Sequence, residues 1–257
     1  MLDGLFRTAL ADSQAREESL SFAVLENFAL SQPMPIDAEK ALQKTSRMRL
    51  IAEIKRASPS RGDLAPIEDA AAQGLGYQNA GADAISVLTE RSGFKGSLED
   101  LRAVSEATSI PTLRKDFIST EYQLLEARAN GAAMALLILS WLEKDHYLRL
   151  KKFAEDIGLK VLVETHSAME IDVAAESEAK LIGINTRDLV TFQTDIGLFE
   201  NLATRLPDSC TKIAESSVKS IADVERYRAA GADCVLVGEA LVTGNYQELI
   251  PQIISVA

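Results

Sequence analysis

Leu50-Ile51-Ala52-Glu53-Ile54-Lys55-Arg56-Ala57-Ser58-Pro59-Ser60-Arg61-Gly62 begins as a short apolar run and ends in a dense polar cluster. The run reads as a buried strand. Alternation puts Ile51, Glu53 and Lys55 on one face and Leu50, Ala52 and Ile54 on the other. A carboxylate and an ammonium two residues apart on one face point the same way, about 6.5–7 Å apart along the chain. Burying both inside a sheet is costly unless something binds there. Pro59 removes a donor and Gly62 permits positive φ, so the Ser-Pro-Ser-Arg-Gly end reads as a loop. Taken alone, the stretch also fits a strand edge carrying a solvated Glu–Lys pair, and the rest of the chain has to decide.

Outward from this stretch, short apolar runs alternate with amphipathic segments of roughly 10–14 residues. The runs are 50–54, 84–88, 111–114, 133–139, 160–163, 181–184, 211–214 and 233–237. Strands alternating with helical segments predict a parallel sheet with helical crossovers, and eight is the number that closes a (β/α)8 TIM barrel. Residues 1–46 are helical in pattern, with Leu20, Val24, Leu25 and Phe28 at helical spacing, and Pro33 and Pro35 break them before a short helix from about Asp37. They read as an N-terminal extension without chemistry-bearing residues, ahead of one barrel domain over 47–257. Gly81, Gly131 and Gly231 each stand in a similar Gly-Ala junction, 50 and 100 residues apart, as the left-handed residue closing a helix before the next strand. Fifty residues is two βα units, a quarter of such a barrel; an open doubly wound sheet is the alternative.

A chain of 257 residues suits a single barrel of about 250. Its net charge of −11 argues against a nucleic-acid partner. Against that background Lys55, Arg56, Arg61, Arg114 and Lys115 stand out, and they suit a small anionic ligand. Cys210 and Cys234 are too few for a disulfide framework and read as buried thiols of a cytoplasmic protein. With Asp3, Asp12, Glu17, Glu18 and Glu26 among the first 30 residues no signal peptide is expected there, and no apolar window is long enough to span a membrane.

In such barrels chemistry sits at the C-terminal ends of the strands. Those positions hold Glu53 and Lys55, Thr89-Glu90, Arg114-Lys115-Asp116-Phe117, Glu164-Thr165-His166, Asn185 to Asp188, Glu215 to Ser217, and Gly238-Glu239. Lys115 can be a general acid, a Schiff-base former or a phosphate anchor. Partial desolvation at Glu164 is expected to raise its pKa enough for proton transfer. His146 and His166 stand apart from other ligands, so no metal is expected and His166 reads as an ordinary loop residue. Neither a G-x-G-x-x-G nor a Walker loop occurs, so no nucleotide cofactor is signalled. Ser216-Ser217 and Gly238-Glu239 occupy the places where many barrels bind phosphate, with Glu239 expected to point away.

These residues resemble the indole-3-glycerol-phosphate synthase family of tryptophan biosynthesis from about Arg49 to Val242. The likeness rests on Ile51 to Gly62, Ser86 to Glu90 with Gly96-Ser97, and Leu113-Arg-Lys-Asp-Phe117. It continues in Val163-Glu164, Gly183 to Leu189, Ala214-Glu-Ser216 and Leu236 to Leu241. It implies conversion of 1-(2-carboxyphenylamino)-1-deoxyribulose 5-phosphate to indole-3-glycerol phosphate with loss of carbon dioxide and water, without a redox cofactor. By matching positions, Lys115 would be the acid at the ribulose carbonyl and Glu164 would handle protons in the dehydration. Glu53 would orient the lysine and substrate hydroxyls, and Lys55 would assist at substrate carboxylate or phosphate. Asn185, Arg187, Glu215 and Ser216 would bind substrate; Ser58 and Pro59 would shape the anthranilate pocket, walled by Phe94, Phe117 and Leu136. Phosphate would fall to Lys55, Ser217, Gly238 and Glu239.

Two site positions depart from the family pattern: Ser217 replaces the usual Gly, and Thr186 the usual Asn. Weaker phosphate binding is the most this is expected to cause. The N-terminal extension would help cover the mouth of the site. A phosphorylated small-molecule substrate is the one expected partner, with neither nucleic acid nor membrane, and the chain is expected to be a monomer or weak homodimer. The competing readings are a different phosphosugar barrel enzyme, of isomerase type or with Lys115 as a Schiff base, and a non-catalytic phosphosugar-binding barrel.

Overall fold

Each apolar run becomes one parallel strand: β1 (Arg49–Ile54), β2 (Ala84–Leu88), β3 (Thr112–Lys115), β4 (Met134–Ile138), β5 (Lys160–Thr165), β6 (Leu181–Asn185), β7 (Thr211–Glu215) and β8 (Cys234–Val237). The computed structural model describes residues 2–188, 191 and 193–257. The strands close in the order β1-β8-β7-β6-β5-β4-β3-β2, so the sheet is a (β/α)8 barrel and the open-sheet alternative falls.

Three helices precede the barrel: α1 (Leu2–Ser19), α2 (Phe22–Ser31) and α3 (Ala38–Leu42). The crossovers are α4 (Ala70–Ala80), α5 (Leu98–Ala107), α6 (Glu121–Ala129), α7 (Lys144–Asp156), α8 (Ala168–Glu176), α9 (Ile196–Leu202) and α10 (Ile221–Ala229). After β8 come the short α11 (Glu239–Thr243) and then α12 (Tyr246–Ile254). Gly81, Gly131 and Gly231 all have positive φ, at 110°, 81° and 98°, as their spacing predicts.

Strand periodicity divides the core in two. Ile51, Ala84, Leu113, Leu162, Leu181 and Ile213 share one apolar cluster filling the barrel interior. Their neighbours Leu50, Ile85, Val163, Ile182 and Ala214 belong to the cluster under the helices. The strand ends continue the same alternation: two residues beyond Ile51, Leu113, Leu162 and Ile213 lie Glu53, Lys115, Glu164 and Glu215. Register therefore carries four ionisable side chains inward onto the C-terminal mouth.

Arg114, one residue out of phase, is fully buried on the helix side. It donates to Gln123 O at 2.6 Å, to Glu126 at 3.1 Å and to Asp116 at 2.9 Å. Glu126 also receives Arg16 of α1, so one buried ionic chain ties the N-terminal helix to the strand bearing Lys115. Removing Arg114 would leave the buried Asp116 carboxylate without its cationic partner.

The N-terminal helices differ from the sequence reading in one respect. The chain turns between α1 and α2, which packs on α6 through the buried Leu25 and Ala29, and leaves Leu20, Val24 and Phe28 exposed. The extension also reaches the mouth of the barrel. Phe6 is buried, stacked on Trp141 at 4.3 Å and edge-on to Phe117 at 4.8 Å. Among the described residues, no helix is long and apolar enough to cross a membrane.

Candidate active site

A cavity of about 480 Å³ opens at the C-terminal ends of the strands. Glu53, Lys55, Pro59, Phe94, Lys115, Phe117, Leu136, Glu164, Asn185, Arg187, Glu215, Ser216, Ser217, Gly238 and Glu239 all line it. Ser58 does not: it lies in a two-residue hairpin strand, its hydroxyl buried without a hydrogen-bond partner among the described residues. Leu5 of α1 also lines the cavity, a residue the sequence reading passed over because a lone apolar side chain carries no chemical signal.

Lys115 is the hub of the charged groups. Its Nζ lies 2.5 Å from Glu215 Oε2 and 3.2 Å from Glu164 Oε2. Burial alone would push the ammonium toward neutrality, but Glu215, Glu164 and Glu53 outweigh it and hold the lysine protonated well above its ordinary pKa. Lys55 pairs instead with Glu53, at 2.7 Å. The direct carboxylate partners of Lys115 are thus Glu164 and Glu215, while Glu53 acts on it at longer range.

Glu164 corrects an expectation. Burial does oppose its charge, yet Lys115, His166 and the Asn185 amide, which donates to Oε1 at 3.1 Å, hold its pKa below the usual value. The raised carboxyl is Glu215, pushed up to about 7 by burial and by the neighbouring Glu164, against the pull of Lys115. Two glycines make room for these groups. A Cβ on Gly183 would overlap Glu215 Oε1, and one on Gly238 would overlap Glu53 Oε1.

The region after β6 and β7 is held by hydroxyls. Ser216 and Ser217 both take positive φ, 70° and 64°, a conformation costly for a residue with Cβ. Ser216 Oγ donates to Asn185 Oδ1 at 2.8 Å. Ser217 Oγ lies 2.6 Å from Thr186 Oγ1, which bonds Glu215 O at 2.9 Å and has Tyr227 OH at 3.0 Å. Glu239 is drawn to Arg61 across the mouth.

His166 is not an ordinary loop residue. The residue is partly buried and its two ring nitrogens fully so, with Nε2 3.5 Å from Glu164 Oε1 and Nδ1 3.7 Å from Glu170 Oε2. Nothing in its sequence neighbourhood distinguished it; only the alternation after β5 hints that its ring returns toward the mouth.

An ammonium and three carboxylates, gathered by strand register at the end of a closed barrel, define an acid–base site for a small ligand. The family model described as Indole-3-glycerol phosphate synthase matches residues 2–252, and the chain belongs to that family. It is 49% identical to indole-3-glycerol phosphate synthase of Leifsonia xyli subsp. xyli over 95% of this chain and 94% of the relative. Against the synthase of Rhodococcus opacus identity is 48%, over 95% and 91%. Against that of Mycobacterium tuberculosis (strain ATCC 25618 / H37Rv) it is 46%, over 95% and 90%. Among solved structures, thiamine phosphate pyrophosphorylase from Pyrococcus furiosus matches with a TM-score of 0.62 and 12% identity, covering 85% of this chain and 96% of that one. That likeness shows the fold alone.

Proposed function

We propose that this chain is a carboxy-lyase of tryptophan biosynthesis, closing 1-(2-carboxyphenylamino)-1-deoxyribulose 5-phosphate to indole-3-glycerol phosphate. The observation that carries the reading is the Lys115 ammonium held between Glu164 and Glu215 in the cavity. Attack of the aromatic ring on the ribulose carbonyl needs a proton at the carbonyl oxygen, and Lys115 is charged and placed to give it. The electron pair of the departing carboxylate restores the ring's aromaticity as carbon dioxide leaves. Loss of water then needs one proton delivered to the departing hydroxyl and one taken from the substrate, a task for Glu164.

Glu53 and Lys55 form a second charge pair on the mouth and would orient the substrate hydroxyls and an anionic group. Asn185, Arg187, Glu215 and Ser216 would hold the rest of the substrate. Ser58, Pro59, Phe94, Phe117 and Leu136 would shape the aromatic end. Lys55, Ser217, Gly238 and Glu239 would form the phosphate end, provided that Glu239 stays on Arg61 and off the anion. Residues 1–46 would act as a cover on a barrel domain over 47–257, with Leu5 and Phe6 at its mouth. A cytoplasmic enzyme, monomeric or weakly dimeric, belongs to the same proposal and is testable by fractionation and sedimentation.

The test follows indole fluorescence on mixing protein with the carboxyphenylamino-deoxyribulose phosphate. Wild type should form product, and Lys115→Ala and Glu164→Gln should each lose roughly 10²–10⁴-fold in kcat. Substrate trapped on Lys115 by borohydride would replace this reading with Schiff-base chemistry, and binding without product would reduce the chain to a phosphosugar-binding barrel.

A further inference from the structure

Both ring nitrogens of His166 are buried, and among the described residues neither has a hydrogen-bond partner. On the Nε2 side stands Glu164 Oε1, at 3.5 Å, and on the Nδ1 side Glu170 Oε2, at 3.7 Å. Glu170 is fixed in place: Oε2 accepts from the His166 backbone N–H at 2.7 Å and Oε1 accepts from Ser167 Oγ at 3.0 Å. Ionised carboxylates only accept, so a neutral imidazole would turn a lone pair on one of them. The imidazolium alone offers a proton to both. Glu164 has its own division of labour, with Oε1 facing Asn185 Nδ2 and His166 while Oε2 faces Lys115.

We infer that His166 is a positioning residue: an imidazolium, steadied by Glu170 on α8, that holds Glu164 charged and turns its Oε2 toward Lys115 and the reacting atoms. The titratable groups around the ring are Glu164 on β5, Glu170 on α8 and Glu215 on β7, with Lys115 on β3 beyond Glu164. Burial lowers the affinity of the ring for its second proton, but the three carboxylates outweigh it and raise the pKa. The kinetic consequence rests on the proposed role of Glu164 in proton transfer; the charge of the ring does not.

The chain has only two histidines, His146 and His166, so imidazole ¹⁵N spectra of wild type, assigned with His146→Gln, read the ring directly. His166 should remain doubly protonated at pH 7, and Glu170→Gln should lower its midpoint by about one unit or more. In turnover, His166→Gln and Glu170→Gln should each lose about tenfold in kcat with KM within about twofold, and the acid limb of the kcat profile should move to higher pH as Glu164 loses its cationic neighbour. A neutral ring at pH 7 in wild type overturns the inference, as does a wild-type kcat profile in His166→Gln. If wild type forms no indole product, the synthase reading fails by itself, and the spectra still decide whether the imidazolium exists.

Discussion

Thr186 Oγ1 and Ser217 Oγ lie 2.6 Å apart, one hydroxyl following β6 and the other β7. These are the two site positions that the sequence reading marks as departures from the pattern of the family it resembles, and they touch. Ser217 sits at φ 64°, where glycine is the unstrained choice, but its side chain gains a buried partner that glycine lacks. Thr186 in turn is fixed by Glu215 O and Tyr227 OH.

Stability should register both sides of that exchange. Ser217→Gly removes strain of order 1–2 kcal/mol and forfeits a hydrogen bond of about 1 kcal/mol, so unfolding by urea should shift by less than about 1 kcal/mol. Ser217→Val forfeits the bond and keeps a β-branched side chain in the left-handed region, and should cost about 2 kcal/mol or more. A valine variant as stable as wild type would mean that the loop relaxes to negative φ and that the hydroxyl pair holds nothing.

The pH dependence of stability follows from opposite shifts at Glu215 and Glu164. Glu215 has its folded pKa raised from 4.5 to about 7, so its contribution is fully present below 4.5 and is lost as pH rises toward 7. The loss is up to about 3 kcal/mol, one unit being worth about 1.4 kcal/mol. Glu164 has its folded pKa lowered, so its contribution is present above 4.5 and is lost as pH falls below that. Urea midpoints between pH 5 and 8 should decline for wild type and more shallowly in Glu215→Gln, where the raised His166 imidazolium still contributes a decline at the upper end of that range. A parallel decline in the variant would assign the slope to other groups.

The barrel was legible because period-2 alternation and helix spacing are local properties, and the fifty-residue glycine echo is visible without any contact being known. The cavity-lining charges were legible for the same reason: Glu53, Lys115, Glu164 and Glu215 are each in phase with an interior apolar residue. What escaped depends on contacts between distant segments. The raised carboxyl belongs to Glu215 because β7 brings it beside Glu164 of β5, which no run of residues records. The place of His166 depends on Glu170, itself set by the cap of α8, and that of Phe6 on Trp141 and Phe117. Leu20, Val24 and Phe28 have helical spacing, but spacing alone does not say which face finds a neighbour.

Gly183 offers the sharpest separation of fold from chemistry. It lies on β6 between Leu181 and Asn185, in the inward phase, and pairs in register with Glu164. Its backbone accepts from Thr165 Oγ1 at 2.8 Å, a bond that a methyl group would leave intact. The added Cβ of Gly183→Ala would, however, overlap Glu215 Oε1 and displace that carboxylate from its 2.5 Å contact with Lys115. The variant should fold with an unchanged circular-dichroism spectrum and lose about 10–100-fold in kcat, because the ammonium is left with Glu164 alone and mispositioned. A double-mutant cycle isolates the cause: in a Glu215→Ala background there is no carboxylate to displace, so Gly183→Ala should then have almost no further effect. Full additivity of the two losses would place the damage in the strand itself, and wild-type turnover in Gly183→Ala would show that Glu215 can move without consequence for Lys115.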